Sequence, residues 1–479
     1  MDHAISTIIQ TAVMEPCQPW PRYVLTREQW LNLIALLAHE PLPLLAAWAD
    51  TTHVHALFDD AAAGTILPLS VPVEGGLYPA LSTVSLAATW YERMIHDLYG
   101  HTAEDGTDAR TWLDHGRWAL TQPLNPQPGP PHRDPEPPEF QEVTCTDLMQ
   151  RPVGPLASGI GEAAHLRLTV HGGRVRRAES RLGYTHKGVM GLMLGKSART
   201  AARFAARLSG DATVAHATAF ALAAEAASGA QAPPRAVALR KLMGALERIT
   251  THLDDLASIG HCVGSAAVHG RCGLHQEQMR RAITAAFGHR LMMDCVIPGG
   301  VAGDIERDGA AALPRTLSNL TRELPALRRL HESSFVAARL SGAGKTDRAL
   351  VEALAVGGVV GRAAAKGRAG DALARTHARL DAIATDLELA GTLLDGLPDG
   401  AVTVAPPMTS GEGLGQAVSA RGDVWHWLRL DHGQVTAVFP RDPGWALWPL
   451  AEAALRGAPV TDVSLICISL GLPASGMDL

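Results

Sequence analysis

Apolar residues step by three and four through Leu239, Leu242, Met243, Leu246, Ile249, Leu253, Leu256 and Ile259. That spacing predicts a long helix with one buried face, and Pro233-Pro234 marks its start. Leu317, Leu320, Leu324, Leu327 and Leu330 form a second such stripe, and Val351–Leu394 reads as mostly helical by composition. Elsewhere the pattern is that of strands. Leu166–Val170 and Arg174–Glu179 flank His171-Gly172-Gly173, and Val424–Leu430 and Gln434–Phe439 flank Asp431-His432-Gly433, so both pairs predict hairpins. Nearer the start, Thr26 and Gln29 form a capping box for a helix ending near His39. Strands are expected at Leu44–Trp48 and Val54–Phe58 about an Asp50-Thr51-Thr52 turn, and at Ile66–Val73, followed by a helix over Leu86–Tyr99. The longest apolar stretch, Ala212–Ala227, is broken by His216, threonines and Glu225, so it predicts an alanine-rich helix rather than a lipid-facing span.

Eight of the sixteen residues from Pro123 to Pro138 are proline. Proline fixes φ and removes a donor, so this stretch predicts a semi-rigid extended connector. The expected organisation is a small N-terminal α/β domain (1–122), a Pro-rich linker (123–150) and a larger, mainly helical domain with terminal β-hairpins (151–479), an α+β chain overall.

Composition narrows the class. The 479 residues are 47% hydrophobic and 19% charged, a globular balance. The cysteines, Cys17, Cys145, Cys262, Cys272, Cys295 and Cys467, form no C-x-x-C pair. They match neither a disulfide framework nor a zinc site and fit a reducing compartment. No basic segment followed by an apolar one opens the sequence, so a soluble or peripheral protein is expected. A net charge of −6 argues against nucleic-acid binding. Residues 1–140 carry −11 and the remainder +5, which suggests two units with different surroundings or simple surface drift.

Single motifs are weak. Ser341-Gly-Ala-Gly-Lys-Thr346 has Arg339 where a phosphate loop needs its first glycine, and follows a helix rather than a strand. Gly183-Tyr-Thr-His186-Lys-Gly188 is a polar loop or helix entry. Glu247, Arg248, His252 and Asp255 share one helix and read most simply as a charged surface face. Pro298-Gly299-Gly300-Val301 is a tight turn.

Taken together and in order, the stretches carry more. Gly183-Tyr-Thr-His-Lys-Gly-Val189, Thr213-Val-Ala-His216, Phe220–Glu225, Pro233–Ala236, Leu246-Glu-Arg-Ile249 with His252-Leu253, Gly288–Asp294, Pro298–Val301 and Ala420-Arg-Gly-Asp423 are collinear. They resemble the 49-kDa-type subunit of respiratory complex I and the large subunit of group 4 membrane-bound [NiFe] hydrogenases. Trp90-Tyr-Glu-Arg93, Asp97–Gly100, Asp108, Arg110 and Pro123-Leu124 resemble the 30-kDa-type complex I subunit. Fusion in this order resembles the large subunit of formate-hydrogenlyase-type complexes.

The departures decide the expected chemistry. In such hydrogenases two C-x-x-C pairs hold nickel and iron. The resemblance puts those four positions at Ser209, Ala212, Pro473 and Gly476, none of which offers a thiolate. A metal centre is therefore not expected, and none is assigned to the chain's own thiols. In the complex I relatives the vacated cavity takes a quinone, but the quinone-contacting tyrosine falls at Gly210 and the histidine near Ala163. Met190 stands where a glutamate is expected, and Arg362 or Arg368 is the candidate for a cavity arginine. The resemblance makes Ser209, Gly210 and Ala212 the former metal or quinone cavity, with Glu162, His165, His186, Asp211, His216 and Asp478 as ionisable candidates for a pocket or proton relay. Asp211 also reads as an N-cap for the alanine-rich helix. The implied protein is a cytoplasmic-face subunit, peripheral on the inner membrane, of a complex I-like or hydrogenase-4-like oxidoreductase. Its implied partners are a small iron–sulfur subunit and integral antiporter-like and quinone-module-like membrane subunits. Electrons would pass from the partner's cluster to a quinone or other acceptor; the alternative is a non-catalytic scaffold, coupling or assembly subunit.

Overall fold

The computed structural model describes residues 3–132, 139–143, 145–156, 161–365 and 367–479. Pro135, Pro137 and Pro138 of the connector lie outside them.

The N-terminal unit is a five-stranded sheet in the spatial order Val13–Glu15, Arg22–Val24, Thr65–Pro72, His53–Asp60, Leu44–Ala49. All its pairings are antiparallel except that of Arg22–Val24 with Thr65–Pro72. Helix Arg27–Leu37 carries the expected capping box, with the Gln29 N–H donating to Thr26 Oγ1 at 3.2 Å and Thr26 N–H to Gln29 Oε1 at 2.8 Å. Helix Ala88–Tyr99 is buried on nearly every side, including its charged residues. Those charges hold the loop that follows. Asp97 accepts the N–H groups of Trp112 and Leu113 at 2.7 Å each, and Arg93 donates to the carbonyls of Arg110 and Thr111 at 2.7 Å.

In the larger unit both predicted hairpins form. Strands His165–His171 and Arg174–Arg181 turn through Gly172 and Gly173, both at positive φ, and Met149–Val153 adds a third strand. That strand straddles the expected boundary between linker and larger domain at residues 150 and 151. The long apolar stripe lies on helix Pro234–Cys262, with all eight of its named residues fully buried. This helix packs on Ala266–Phe287 and on Ala372–Asp395, and Arg307–His331 packs on both of those, closing a four-helix bundle. The stretch Val351–Leu394 is helical but divided: Arg348–Ala353, Gly358–Ala363 and Ala372–Asp395 are separated by turns.

The alanine-rich stretch forms helix Thr213–Ser228, buried against the C-terminal sheet of Gly411–Val418, Asp423–Asp431 and Gln434–Arg441. Gly411, Gly413 and Gly415 alternate along the first strand. A Cβ on each would strike the carbonyl oxygen of Ala227, Ala223 and Ala219, one helical turn apart. Strand and helix therefore touch backbone to backbone. The other edge of this strand is met by Gln18, whose N–H donates to the Glu412 carbonyl at 3.1 Å and whose carbonyl accepts from Leu414 N–H at 2.8 Å. No helix among the described residues is long and apolar enough to cross a membrane.

Candidate functional site

A cavity of about 280 Å³ opens where four segments converge. They are Gly161-Glu162, Gly210-Asp211, one face of helix Pro234–Cys262 (Glu247 to Ser258), and the run Cys467–Pro473. Arg280, Arg290 and Arg421 complete a strongly charged wall. The loops expected at a former metal site do meet here.

Asp211 is a wall residue, not a helix cap. The N-cap of Thr213–Ser228 is Ala212, which makes no side-chain cap bond. Asp211 Oδ1 accepts from the Ser209 hydroxyl at 2.6 Å, and Oδ2 from Arg421 Nε at 2.7 Å. Arg421 Nη1 also donates to Asp255 Oδ2 at 2.5 Å, which takes a further bond from Arg379 Nε at 2.8 Å. Burial pushes the Asp255 carboxyl up, but Arg421 and Arg379 override it and hold its pKa at about 2. Neither Arg362 nor Arg368 lines this cavity, whose arginines are Arg280, Arg290 and Arg421; Arg362 lines a separate cavity with Arg248, His252 and Asp386.

The helix N-terminus left without a cap is satisfied from across the cavity. Glu247 accepts the N–H of Val214 at 2.5 Å and of Ala215 at 3.1 Å. Burial nevertheless pushes its pKa up to about 8, so it carries a proton near neutral pH. The set expected to be a surface face is therefore divided between two cavities: Glu247 and Asp255 line this one, and Arg248 and His252 line the other. Glu162 faces the same space and accepts from the N–H groups of Ala474 and Ser475 at 2.5 and 2.6 Å and from the Ser475 hydroxyl at 2.6 Å. Burial, with Asp211 nearby, raises its pKa.

The four residues at the positions that the resemblance assigns to thiolates each have other contacts. The Ser209 hydroxyl serves Asp211. Ala212 packs with Ala215, Ala219 and Val424. Pro473 lines the cavity, and its carbonyl accepts from Trp448 Nε1 at 2.6 Å. A Cβ on Gly476 would collide with the Asp442 carboxylate. Gly210 faces the opening with nothing within 4 Å of where its Cβ would stand. Cys467 is on the wall, but burial pushes its thiol pKa up to about 12, so it presents a thiol and not a thiolate.

The remaining candidates lie outside this cavity. His216 is wholly buried, with Nε2 3.0 Å from Asp442 Oδ2 and Nδ1 3.0 Å from His426 Nε2. Asp442 Oδ1 accepts from Gly444 N–H at 2.7 Å. Burial, then His216, keeps His426 well below the usual histidine range, in a buried hydrogen-bonded chain behind the Gly476 position. His165 begins a strand, 5.4 Å from the Phe140 ring, with no partner for Nε2 among the described residues. His186 stacks on Trp118 at 4.5 Å, and its Nδ1 lies 2.5 Å from the Asp478 carbonyl oxygen. Asp478 fastens the preceding loop, accepting from Gly183 N–H, Thr185 N–H and the Thr185 hydroxyl at 2.7, 2.8 and 2.6 Å. Met190 is buried in a second cavity beside His186.

Comparison with known proteins bears on this arrangement. Residues 263–368 match the family described as respiratory-chain NADH dehydrogenase, 49 Kd subunit. Hydrogenase-4 component G of Escherichia coli (strain K12) is 26% identical over 419 residues, 82% of this chain and 74% of that protein. Formate hydrogenlyase subunit 5 of the same organism is 27% identical over 433 residues, 82% of this chain and 75% of that one. A solved chain of the membrane-bound sulfane sulfur reductase, an archaeal respiratory membrane complex, has the same fold, with a TM-score of 0.66 at 23% identity over 71% of this chain and all of that chain. Residues 263–368 thus match a complex I 49-kDa-type domain, and the chain's homologues include hydrogenase-4, formate hydrogenlyase and membrane-bound hydrogenase components together with NADH-quinone oxidoreductase D-type subunits.

Proposed function

We propose that this chain is the cytoplasmic-face subunit of a membrane-bound, complex I-like oxidoreductase whose former metal cavity works without nickel as a proton-exchanging acceptor site. One observation carries the reading: the cavity is open and walled by ionisable groups while all four thiolate positions lack thiolates. A soft metal needs soft donors, and serine, alanine, proline and glycine supply none. The donor set therefore does not fit a nickel–iron centre. It does fit a quinone-class acceptor. Reduction of a quinone takes up protons as well as electrons, and its carbonyls accept hydrogen bonds. Thr250 and Thr251 spend their hydroxyl protons on the Leu246 and Asp211 carbonyls, at 2.7 and 3.2 Å, which leaves Arg280 Nε and protonated Glu247 as donors on the wall, and Glu247 carries a proton to release. Electrons would arrive from a cluster in a small iron–sulfur partner, with integral membrane subunits beneath. An apolar plug would have favoured a purely structural subunit; the charged wall favours chemistry.

The test is made on the assembled complex purified from membranes. Nickel is expected below about a tenth of an equivalent per chain, and Glu247→Gln is expected to slow quinone reduction at least tenfold with subunit content unchanged. Stoichiometric nickel removes the metal-free reading, and a complex with no quinone reductase activity leaves the scaffold role.

A further inference from the structure

A second cavity, of about 500 Å³, lies on the far side of the His186 loop. None of its lining residues lines the charged cavity. Its volume falls within the roughly 300–1,000 Å³ common for small-molecule sites. Leu98, Trp118, Leu124, Met190 and Leu479 make its wall apolar. Besides the Trp118 indole, whose N–H only donates, two polar side chains border it. The Lys187 ammonium is engaged elsewhere, donating to the Leu208 and Ser475 carbonyls at 3.3 Å each. That leaves His186.

The state of the His186 ring follows from its contacts. A carbonyl oxygen only accepts, so Nδ1, 2.5 Å from the Asp478 carbonyl, carries the ring proton. Burial lowers the imidazole pKa, against the smaller pulls of the Asp478 carbonyl and carboxylate, so the ring is neutral at pH 7. Its Nε2 is then a bare lone pair, and no donor among the described residues reaches it. The Trp118 indole stacked on the ring at 28° supplies a flat face beside it. The pocket therefore offers aromatic and aliphatic walls with His186 Nε2 as an unengaged side-chain acceptor at its border.

We propose that this cavity binds an apolar aromatic molecule bearing a phenolic hydroxyl, with the hydroxyl donating to His186 Nε2. A carbonyl-bearing ligand would present an acceptor to an acceptor and is disfavoured. The site is independent of the charged cavity and its chemistry.

Calorimetric titration of the full-length chain with p-butylphenol and its methyl ether, p-butylanisole, tests this. The two probes share size and greasiness and differ in the donor. The phenol is expected to bind saturably and about tenfold more tightly than the ether, the effect of roughly one net hydrogen bond. In His186→Phe the two affinities should converge. Should that variant fail to fold, Gly191→Leu provides the second arm. A Cβ there would sit 3.6 Å from Leu124 Cδ2, so a larger side chain intrudes on the cavity while His186 itself is unchanged. It should abolish binding of both probes. Equal affinities for phenol and ether in the wild-type chain, no saturable binding of either, or undiminished binding to Gly191→Leu would each overturn the proposal.

Discussion

At Glu247 a buried carboxyl meets two orphan N–H groups at a helix start and the edge of an open cavity. Its pKa rises from 4.5 to about 8 on folding, so the folded chain holds a proton that the unfolded chain releases over that interval. The stabilisation is complete below about pH 4.5 and is lost as pH climbs through about 8. Urea midpoints should therefore show wild type losing stability relative to Glu247→Gln between pH 5.5 and 7.5, by up to about 1.4 kcal/mol per pH unit. A constant difference would mean that Glu247 is ionised throughout. Little of this was legible in the sequence. Glu247 and Asp255 share a helix at surface-like spacing, and Asp211 precedes a helix as caps do. What buries them is supplied from afar: the N–H group that binds Glu247 is 33 residues away, and the arginine that binds Asp211 is 210 away. Periodicity reports which face of an element is apolar, and is silent on which charged face finds partners.

Among the elements, the strands and helices with strong periods formed where expected, because burial of one apolar face decides them. The hairpins followed their glycine turns. The contact between Gly411–Val418 and Thr213–Ser228 went unread, although its signal is present. Three glycines alternate on a strand while Ala219, Ala223 and Ala227 recur every four residues on a helix, both patterns for close approach. Their φ values are not in the left-handed region, so the need is for room and not for conformation. Gly413→Ala is expected to cost about 3 kcal/mol or more, because the methyl group meets backbone that cannot rotate aside. Chemical denaturation would show it, and a cost under about 1 kcal/mol would mean that helix and strand can separate freely.

In the whole molecule, the proline-rich connector suggests two independent units, yet the units share a core. Trp48 of the N-terminal sheet lies 5.5 Å from both Trp427 and Phe439 of the C-terminal sheet, and Tyr91 stacks on Trp445 at 4.5 Å. Arg22 grips Glu412 with two bonds of 2.7 and 3.1 Å, and Arg429 joins Glu412 to Asp50. Buried ion pairs and aromatic contacts of this kind couple the two sides. Calorimetry of the isolated chain is expected to show one cooperative transition, and two separable ones would argue for independent units.

The contacts of Gln18 carry a further consequence. Strand Gly411–Val418 ends its sheet, and an unprotected end strand is a template for strands of other molecules. Gln18 occupies the backbone groups of Glu412 and Leu414 that such a strand would use. The N-terminal unit thus guards its own chain against self-association. Cutting the connector and removing residues 1–122 should yield a C-terminal fragment that aggregates rather than a soluble module, and light scattering after limited proteolysis would register it. Fusion of the two units in one chain keeps that guard permanently at hand.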